Sequence, residues 1–236
     1  MWVLVFVLLV LTSGCIAQDN QSPRPQKILN INPITHASVM FNYGGVVVYV
    51  DPAGYQGAAD FSKMFRADII LITHHHFDHF DPKAINYLLK EDTVIIGPET
   101  IQERVTYARV LRNGESLEID EVKIKAVPAY NLKQRIGVEY HPRGRDNGYV
   151  INFGSTRVYM AGDTECVPET KALMGIDVAF LPIDGVDTMT PEEAAACVEA
   201  FTPKVVYPYH QGSSSPVYFA SLLKDKGVEV RIMELP

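Results

Sequence analysis

Short apolar runs rich in β-branched residues recur along the chain. Gly, Pro, Asp or Asn bound each run, a pattern typical of buried β-strands. The predicted strands cover residues 46–50, 68–72, 94–96, 122–127, 149–153, 157–160, 178–181 and 205–209. A further apolar run, at residues 3–11, stands apart at the extreme N-terminus.

Two segments between these strands, and one after the last of them, carry helix-start signals. Ser, Thr and Asp are favoured at the N-cap, and proline is tolerated directly after it. The signals are Asp81-Pro82, the capping-box pattern Thr190-Pro191-Glu192-Glu193, and Ser215-Pro216. They predict helices over residues 83–90, from residue 191 through Phe201, and from residue 216 through Lys224. Strand-rich and alternating blocks then follow one another twice, which predicts a single α/β domain with two sheets packed face to face and helices outside.

The first 17 residues are predicted to be a signal peptide. The run at residues 3–11 is too short to cross a bilayer as a helix. Residues 11–15, Leu-Thr-Ser-Gly-Cys, resemble a lipobox with Cys15 as the lipidated residue, whereas the small residues around Ala17 suit ordinary secretory cleavage. Residues 18–26 are polar and predict a tether, which leaves residues 27–236 as the folded domain. We therefore expect an extracytoplasmic protein, either a cell-surface lipoprotein that meets the membrane only through Cys15, or a secreted one.

Composition narrows the classes of partner. The 236 residues are 47% hydrophobic and 21% charged, with a formal net charge of −7. A nucleic-acid-binding protein needs a basic surface, so no nucleic-acid partner is expected. Apart from Cys15 the chain has two cysteines, Cys166 and Cys197, which could pair; buried free thiols are the default expectation.

The densest chemistry lies where the predicted strand 68–72 ends, in residues 73–79, Thr-His-His-His-Phe-Asp-His. His74 and His76 alternate and so share one side of an extended chain, and Asp78 and His79 follow within one turn. Neutral imidazole and carboxylate are good zinc ligands. Four ligands this close suit two adjacent metal ions better than one tetrahedral ion. The sequence therefore predicts a two-metal site at a strand-to-helix turn.

This cluster resembles the HxHxDH signature of the metallo-β-lactamase superfamily, and other segments match that family in order. The resemblance implies a four-layer αββα sandwich. It implies that Asp163 of Gly162-Asp163 bridges both metals, that His210 is the last ligand, and that Asp51 braces the ligands from behind. The family's remaining histidine is missing from its usual place, and His141, in an inserted loop, takes its position in the order. The implied sites are His74, His76 and His141 for one metal, and Asp78, His79 and His210 for the other.

The resemblance implies a hydrolase that uses a metal-bridging hydroxide to cleave an ester, lactone or phosphodiester bond. Zinc is the expected metal, with Mn²⁺ or Fe²⁺ as alternatives, and Asp78 and Asp163 are the expected catalytic carboxylates. A mononuclear iron dioxygenase of the same fold and a non-catalytic metal-binding surface protein remain alternatives.

Two further features concern the substrate, which is expected to be a small molecule. The resemblance implies that His36 lies near the pocket, as a group that touches substrate or supports the ligands; an ordinary strand residue is the alternative. The loop 131–146 carries Lys133, Arg135, Arg143 and Arg145 against Glu139 and Asp146. Arg143 or Arg145 is expected to bind a phosphate or carboxylate group of an anionic substrate; a solvated loop whose charges face water is the alternative.

Overall fold

The computed structural model describes residues 27–54, 57–133, 137 and 139–233. The predicted signal peptide, Cys15, the predicted tether and Arg135 lie outside the described residues. Within the described part of the chain, no helix has the length and apolar composition needed to cross a bilayer.

Thirteen strands in the described residues form two mixed sheets. The first contains, in spatial order, β1 (Leu29–Thr35), β2 (Ser38–Tyr43), β3 (Val46–Val50), β4 (Ile69–Leu71), β5 (Val94–Gly97) and β6 (Arg109–Val110). The second contains, in spatial order, β7 (Ser116–Ile119), β8 (Val122–Ala129), β9 (Asp146–Phe153), β10 (Thr156–Met160), β11 (Val178–Pro182), β12 (Val205–Tyr209) and β13 (Glu229–Val230).

Each sheet begins with antiparallel hairpins and continues with parallel strands. In the first sheet β1, β2 and β3 are antiparallel, and β3 to β6 are parallel. In the second, β7 to β10 are antiparallel, and β10 to β13 are parallel. Parallel neighbours need crossover connections, and the helices lie in the chain segments that make these connections. This arrangement accounts for the two successive blocks of hairpins and alternation in the sequence.

In the part of the chain that the structure describes, five α-helices cover the outer faces of the sheets. They are α1 (Pro82–Leu88), α2 (Glu99–Gln102), α3 (Pro168–Lys171), α4 (Pro191–Phe201) and α5 (Pro216–Leu222). The predicted starts of α1, α4 and α5 are confirmed, with Asp81, Thr190 and Ser215 as N-caps. α1 and α5 end two residues earlier than predicted. At the end of α1, Leu89 is already extended.

Three apolar clusters establish the predicted four-layer αββα sandwich. The central cluster lies between the sheets, where the ring of Phe41 packs 5.3 Å from that of Phe153 and 6.0 Å from that of Phe180. A second cluster lies between the second sheet and α4 and α5, and a third between the first sheet and α1 and α2. Burying each large apolar side chain contributes about 1.5–3 kcal/mol, so each pair of adjacent layers is held together by its own core.

The two cysteines of the domain form a disulfide, and the expectation of free thiols is wrong. Cys166 and Cys197 have their Cα atoms 5.6 Å apart and their sulfurs bonded. The bond joins the segment after β10 to the middle of α4. Sequence could not show this pairing, because the two residues become neighbours only once α4 has packed on the second sheet.

Candidate metal centre

The segment after β4 forms a tight turn that holds the histidine cluster. The amides of His79 and Phe80 both donate to the carbonyl of His76, at 3.1 and 2.8 Å. The chain then enters α1 at Pro82 with Asp81 as its cap. His74 and His79 are fully buried. The side chains therefore project from a turn fixed at both ends, as predicted.

Two groups of metal-binding side chains meet at this turn. In each group the four candidate ligand atoms lie within 4.8 Å of one another. The first group is His74, His76, His141 and Asp163, and the second is His36, Asp78, His79 and His210. The structure thus brings together all seven ligands implied by the resemblance, including His141 from the inserted loop, and adds His36.

Asp163 lies between the two groups. Its Oδ2 is 3.6 Å from His74 Nε2 and 3.5 Å from His141 Nε2, both in the first group. Its Oδ1 is 3.2 Å from His79 Nε2, and its Oδ2 is 3.3 Å from His210 Nε2, both in the second group. Donors bound tetrahedrally to one ion at ~2.0–2.2 Å stand roughly 3.3–3.6 Å apart. The distances between Asp163 and these histidines are therefore close to those expected for ligands of the same metal ion.

Several buried polar atoms at this point have no hydrogen-bond partner in the described part of the chain. They are Nε2 of His74, His79, His141 and His210, and Oδ1 of Asp163. Leaving such atoms unsatisfied is costly, and proteins rarely do so without a reason. Metal ions of the kind that imidazole and carboxylate bind would satisfy them all, so the residues present fit the implied metals.

The opposite ring nitrogen of four histidines meets an oxygen of the protein. His74 Nδ1 lies 3.0 Å from Thr73 Oγ1 and His141 Nδ1 lies 3.1 Å from Asp146 Oδ2. The other two pairs are His79 Nδ1 with Asp51 Oδ2 at 2.8 Å and His210 Nδ1 with Asp184 Oδ2 at 3.2 Å. A proton held on Nδ1 leaves the Nε2 lone pair directed at the metal position.

Asp51 lies where the resemblance placed it. It is fully buried behind His79, and its Oδ1 accepts from the Thr73 amide at 2.7 Å. Its Oδ2 accepts from the Thr73 hydroxyl at 2.6 Å. Burial raises the pKa of Asp51, although the hydrogen bonds from His79 and Thr73 oppose the rise. One carboxylate thus orients both the start and the end of the histidine turn.

Asp146 and Asp184 were not singled out by the sequence analysis. Asp146 was counted only as a charge in the loop, yet it is buried and contacts a predicted ligand. Asp184 follows β11 by two residues, close to the strand-end position of Asp51 after β3. A carboxylate beyond the carboxyl end of a parallel strand was the signal that could have identified it.

The charges in the centre are strongly coupled. Burial disfavours the charged forms, but the neighbouring His210 and His79 hold the pKa of Asp163 well below its ordinary value. Burial likewise opposes protonation of His79, yet the carboxylates of Asp163 and Asp51 raise its pKa to about 10. In the metal-free centre the protonated His79 therefore supplies positive charge beside Asp163 and Asp51.

Gly162 shows how closely the two sheets approach beside Asp163. Its φ is +66°, and a Cβ there would stand 2.9 Å from the carbonyl oxygen of Asn147 and 3.1 Å from Cβ of Thr73. Only glycine fits this position without displacing backbone. The glycine of the Gly-Asp motif is therefore explained by packing, and it lets Asp163 reach the turn of the opposite sheet.

The two predicted substrate-binding arginines each contact a carboxylate of the protein. Arg145 binds Asp146 through two bonds of 2.8 Å, from Nε to Oδ1 and from Nη2 to Oδ2. Arg143 donates to Glu169 at 2.8 Å and lies over the ring of Tyr130. Arg143 is 71% exposed and Arg145 only 26%. Of the two, Arg143 alone presents most of its side chain to solvent.

The chain matches known sequences and structures along most of its length. Residues 30–210 match the sequence profile of the β-lactamase superfamily domain. A UPF0173 metal-dependent hydrolase of Thermus thermophilus is 30% identical over 218 residues, covering 86% of this chain and 94% of the relative.

Solved structures agree. A crystal structure from Parabacteroides distasonis, assigned as a candidate metal-dependent hydrolase, is 47% identical with a TM-score of 0.84, covering 89% of this chain and 94% of that one. Igni18, a metallo hydrolase of Ignicoccus hospitalis, shares the fold with a TM-score of 0.74 at 24% identity, covering 88% of this chain and 95% of its own. Together with the two sheets and the convergent ligand groups, these matches show that the chain is a metal-dependent hydrolase of the β-lactamase superfamily, with the metallo-β-lactamase fold.

Proposed function

We propose that the protein is a binuclear hydrolase that cleaves an ester, lactone or phosphodiester bond of a small molecule. One observation carries the proposal. Two groups of ligand atoms converge on adjacent points, and Asp163 contacts both groups. When bound there, two divalent ions would lower the pKa of water to about 7 and stabilise negative charge on the substrate. The nitrogen-rich donor set favours zinc over Mn²⁺ or Fe²⁺.

Asp163 and Asp78 have different roles in the proposed centre. Asp163 is 3% exposed, and its two oxygens lie between the two ligand groups and fix their spacing. The Asp78 side chain is 16% exposed and lies 3.4 Å from His210 Nε2, within reach of a molecule that enters from solvent. We assign Asp163 to holding the centre together and Asp78 to orienting the attacking water.

The substrate, the partners and the location of the protein are further parts of the proposal. Arg143 is the residue we expect to bind an anionic group, because its exposed ion pair with Glu169 is weak enough to be exchanged. The net charge of −7 supports a small-molecule rather than a nucleic-acid substrate. The disulfide supports location outside the cytoplasm, since such bonds persist in oxidising compartments.

Metal analysis tests the binuclear site. Protein purified without added metal should contain about two equivalents of metal per chain, and Asp163→Ala should lower that content sharply. Asp177→Ala removes a carboxylate near the start of β11 that pairs with Lys204, and should leave the metal content unchanged. A constant single equivalent in both variants would exclude the binuclear site. A panel of esters, lactones and phosphodiesters then identifies the bond that the wild-type protein cleaves.

A further inference from the structure

His36 lies in the turn between β1 and β2, and its backbone conformation is unusual. Its φ is +40°, in the left-handed region that non-glycine residues seldom adopt. Its carbonyl accepts from the amide of His210 at 3.2 Å, and His210 also has a positive φ, of +43°. Strained residues of this kind persist where the surroundings or a function require them. The hairpin turn of the first sheet is thereby joined to the end of β12 in the second.

The His36 ring faces the second ligand group. Its Nε2 lies 3.2 Å from Asp78 Oδ2, and the same oxygen lies 3.4 Å from His210 Nε2 and 3.9 Å from His79 Nε2. The rings of His36 and His210 are 4.1 Å apart, and the His36 side chain is only 11% exposed. Donors around one tetrahedral ion are expected roughly 3.3–3.6 Å apart. Three imidazole nitrogens thus surround one carboxylate oxygen at close to ligand spacing.

We propose that His36 is a direct ligand of the metal in the second group, so that His36, Asp78, His79 and His210 hold that ion together. This inference rests on the proposed binuclear function. The competing role for His36 is a hydrogen bond to Asp78 with no contact to metal. A hydrogen bond to Asp78 alone does not require the ring to lie so close to His210 and His79 as well. The four donor atoms lie within 4.8 Å of one another, as the donors to a single metal ion must.

The assignment makes the two groups unequal. The second ion has four side-chain donors of its own in addition to Asp163, whereas the first has His74, His76 and His141 in addition to Asp163. An ion held by the second group would then have few positions free of protein atoms. A substrate oxygen would instead meet an ion held by the first group, whose His76 is half-buried.

Cobalt titration of the intact domain tests the assignment without measuring hydrolysis. The variant His36→Gly suits the positive φ and removes the ring. Its cobalt affinity at one of two sites should fall by more than the ~10–100-fold that is typical when a ligand loses a hydrogen-bond partner. The visible absorption spectrum should change, while the other site is unaffected. Added imidazole should restore the spectrum. His75→Ala is the matched control, because His75 adjoins the ligands but belongs to neither group.

A second measurement on the wild-type chain covers the case in which His36→Gly does not fold. Metal-bound imidazole rings show large hyperfine shifts in the proton NMR spectrum of a cobalt protein. Six shifted rings are expected if His36 is a ligand, and five if it only bonds Asp78. Five rings, or an unchanged cobalt spectrum in folded His36→Gly, would overturn the inference and leave the binuclear function standing. A wild-type chain that binds a single cobalt would contradict the binuclear function, and its shifted rings would still report whether His36 contacts that ion.

Discussion

At the scale of single residues, the candidate metal centre depends on carboxylate oxygens that contact the predicted ligands and are not themselves predicted to bind metal. Asp51, Asp146 and Asp184 each meet the Nδ1 atom of one predicted ligand. Such partners fix the ring orientation and the tautomer, and losing one typically costs about 10–100-fold in metal affinity or activity. Arg145 extends this support by one step, because its guanidinium holds both oxygens of Asp146.

Alanine substitutions at Arg145 and Arg143 should therefore have different effects. Arg145→Ala frees Asp146 to rotate away from His141, and should weaken metal binding at the first group by up to about tenfold. Arg143→Ala should leave metal binding unchanged and raise KM for anionic esters more than for neutral ones. Metal titrations and paired KM measurements separate the two effects. Equal metal affinities in wild type and Arg145→Ala would show that Asp146 needs no brace.

The raised pKa of His79 makes metal uptake depend on pH. In the metal-free protein His79 stays protonated up to about pH 10, so metal binding at pH 8 must displace that proton. If one proton is displaced, metal affinity should then fall about tenfold when the pH is lowered by one unit. Each further proton displaced adds another factor of ten per unit. Calorimetry in buffers of different ionisation enthalpy measures the protons released. A binding enthalpy that is the same in every buffer would contradict the expectation.

At the scale of elements, α4 is fixed at its start and in its middle. Thr190 and Glu193 form reciprocal bonds of 3.2 and 2.9 Å at the N-terminus, and Cys197 carries the disulfide. The bridged cysteine Cys166 lies three residues beyond Asp163. The bond therefore anchors the segment that leads away from the bridging carboxylate.

Removing the disulfide should lower stability more than activity. The bond closes a loop with a sequence separation of 31 residues. For a loop of that size chain entropy predicts a loss of about 3–4 kcal/mol, which lowers Tm by on the order of 10 °C. Thermal unfolding of the Cys166→Ser, Cys197→Ser double variant measures the loss. A reducing agent should lower the Tm of the wild type and leave that of the double variant unchanged.

Elements with strong local signals were predictable, and those that depend on pairing were not. The strand β12 and the capping box of α4 match the sequence predictions because apolar runs and N-caps are local properties. The short edge strands β6 and β13, of two residues each, carry no such signal. The ligand motif was similarly local, whereas the contact of Asp184 with His210 exists only after β11 and β12 have paired.

At the scale of the molecule, both ligand groups draw on both sheets. The first combines His74 and His76, which follow β4, with His141 and Asp163, which flank strands of the second sheet. The second combines His36, Asp78 and His79 from the first sheet with His210, which follows β12. Each bound ion would therefore connect the two halves of the fold.

Removing the metals should loosen this connection locally. A ligand present at 100 times its Kd stabilises the folded state by about 2.7 kcal/mol, so a chelator should lower Tm by several degrees. Hydrogen exchange should rise at the ends of β4 and β12 that border the centre. The opposite ends, such as the start of β12 where it pairs with β13, serve as the internal reference. Uniform protection before and after chelation would show that the sheets hold together without the ions.

Ligand groups that span both sheets also set when the metals are acquired. A chain that is still unfolded has neither group, because His36 and His210, or His74 and Asp163, come together only when the two sheets pack. If the chain is exported unfolded, as the predicted signal peptide implies, it leaves the cytoplasm before it can select an ion. The metal in the mature protein would then be decided by the supply outside the cytoplasm, where folding is completed.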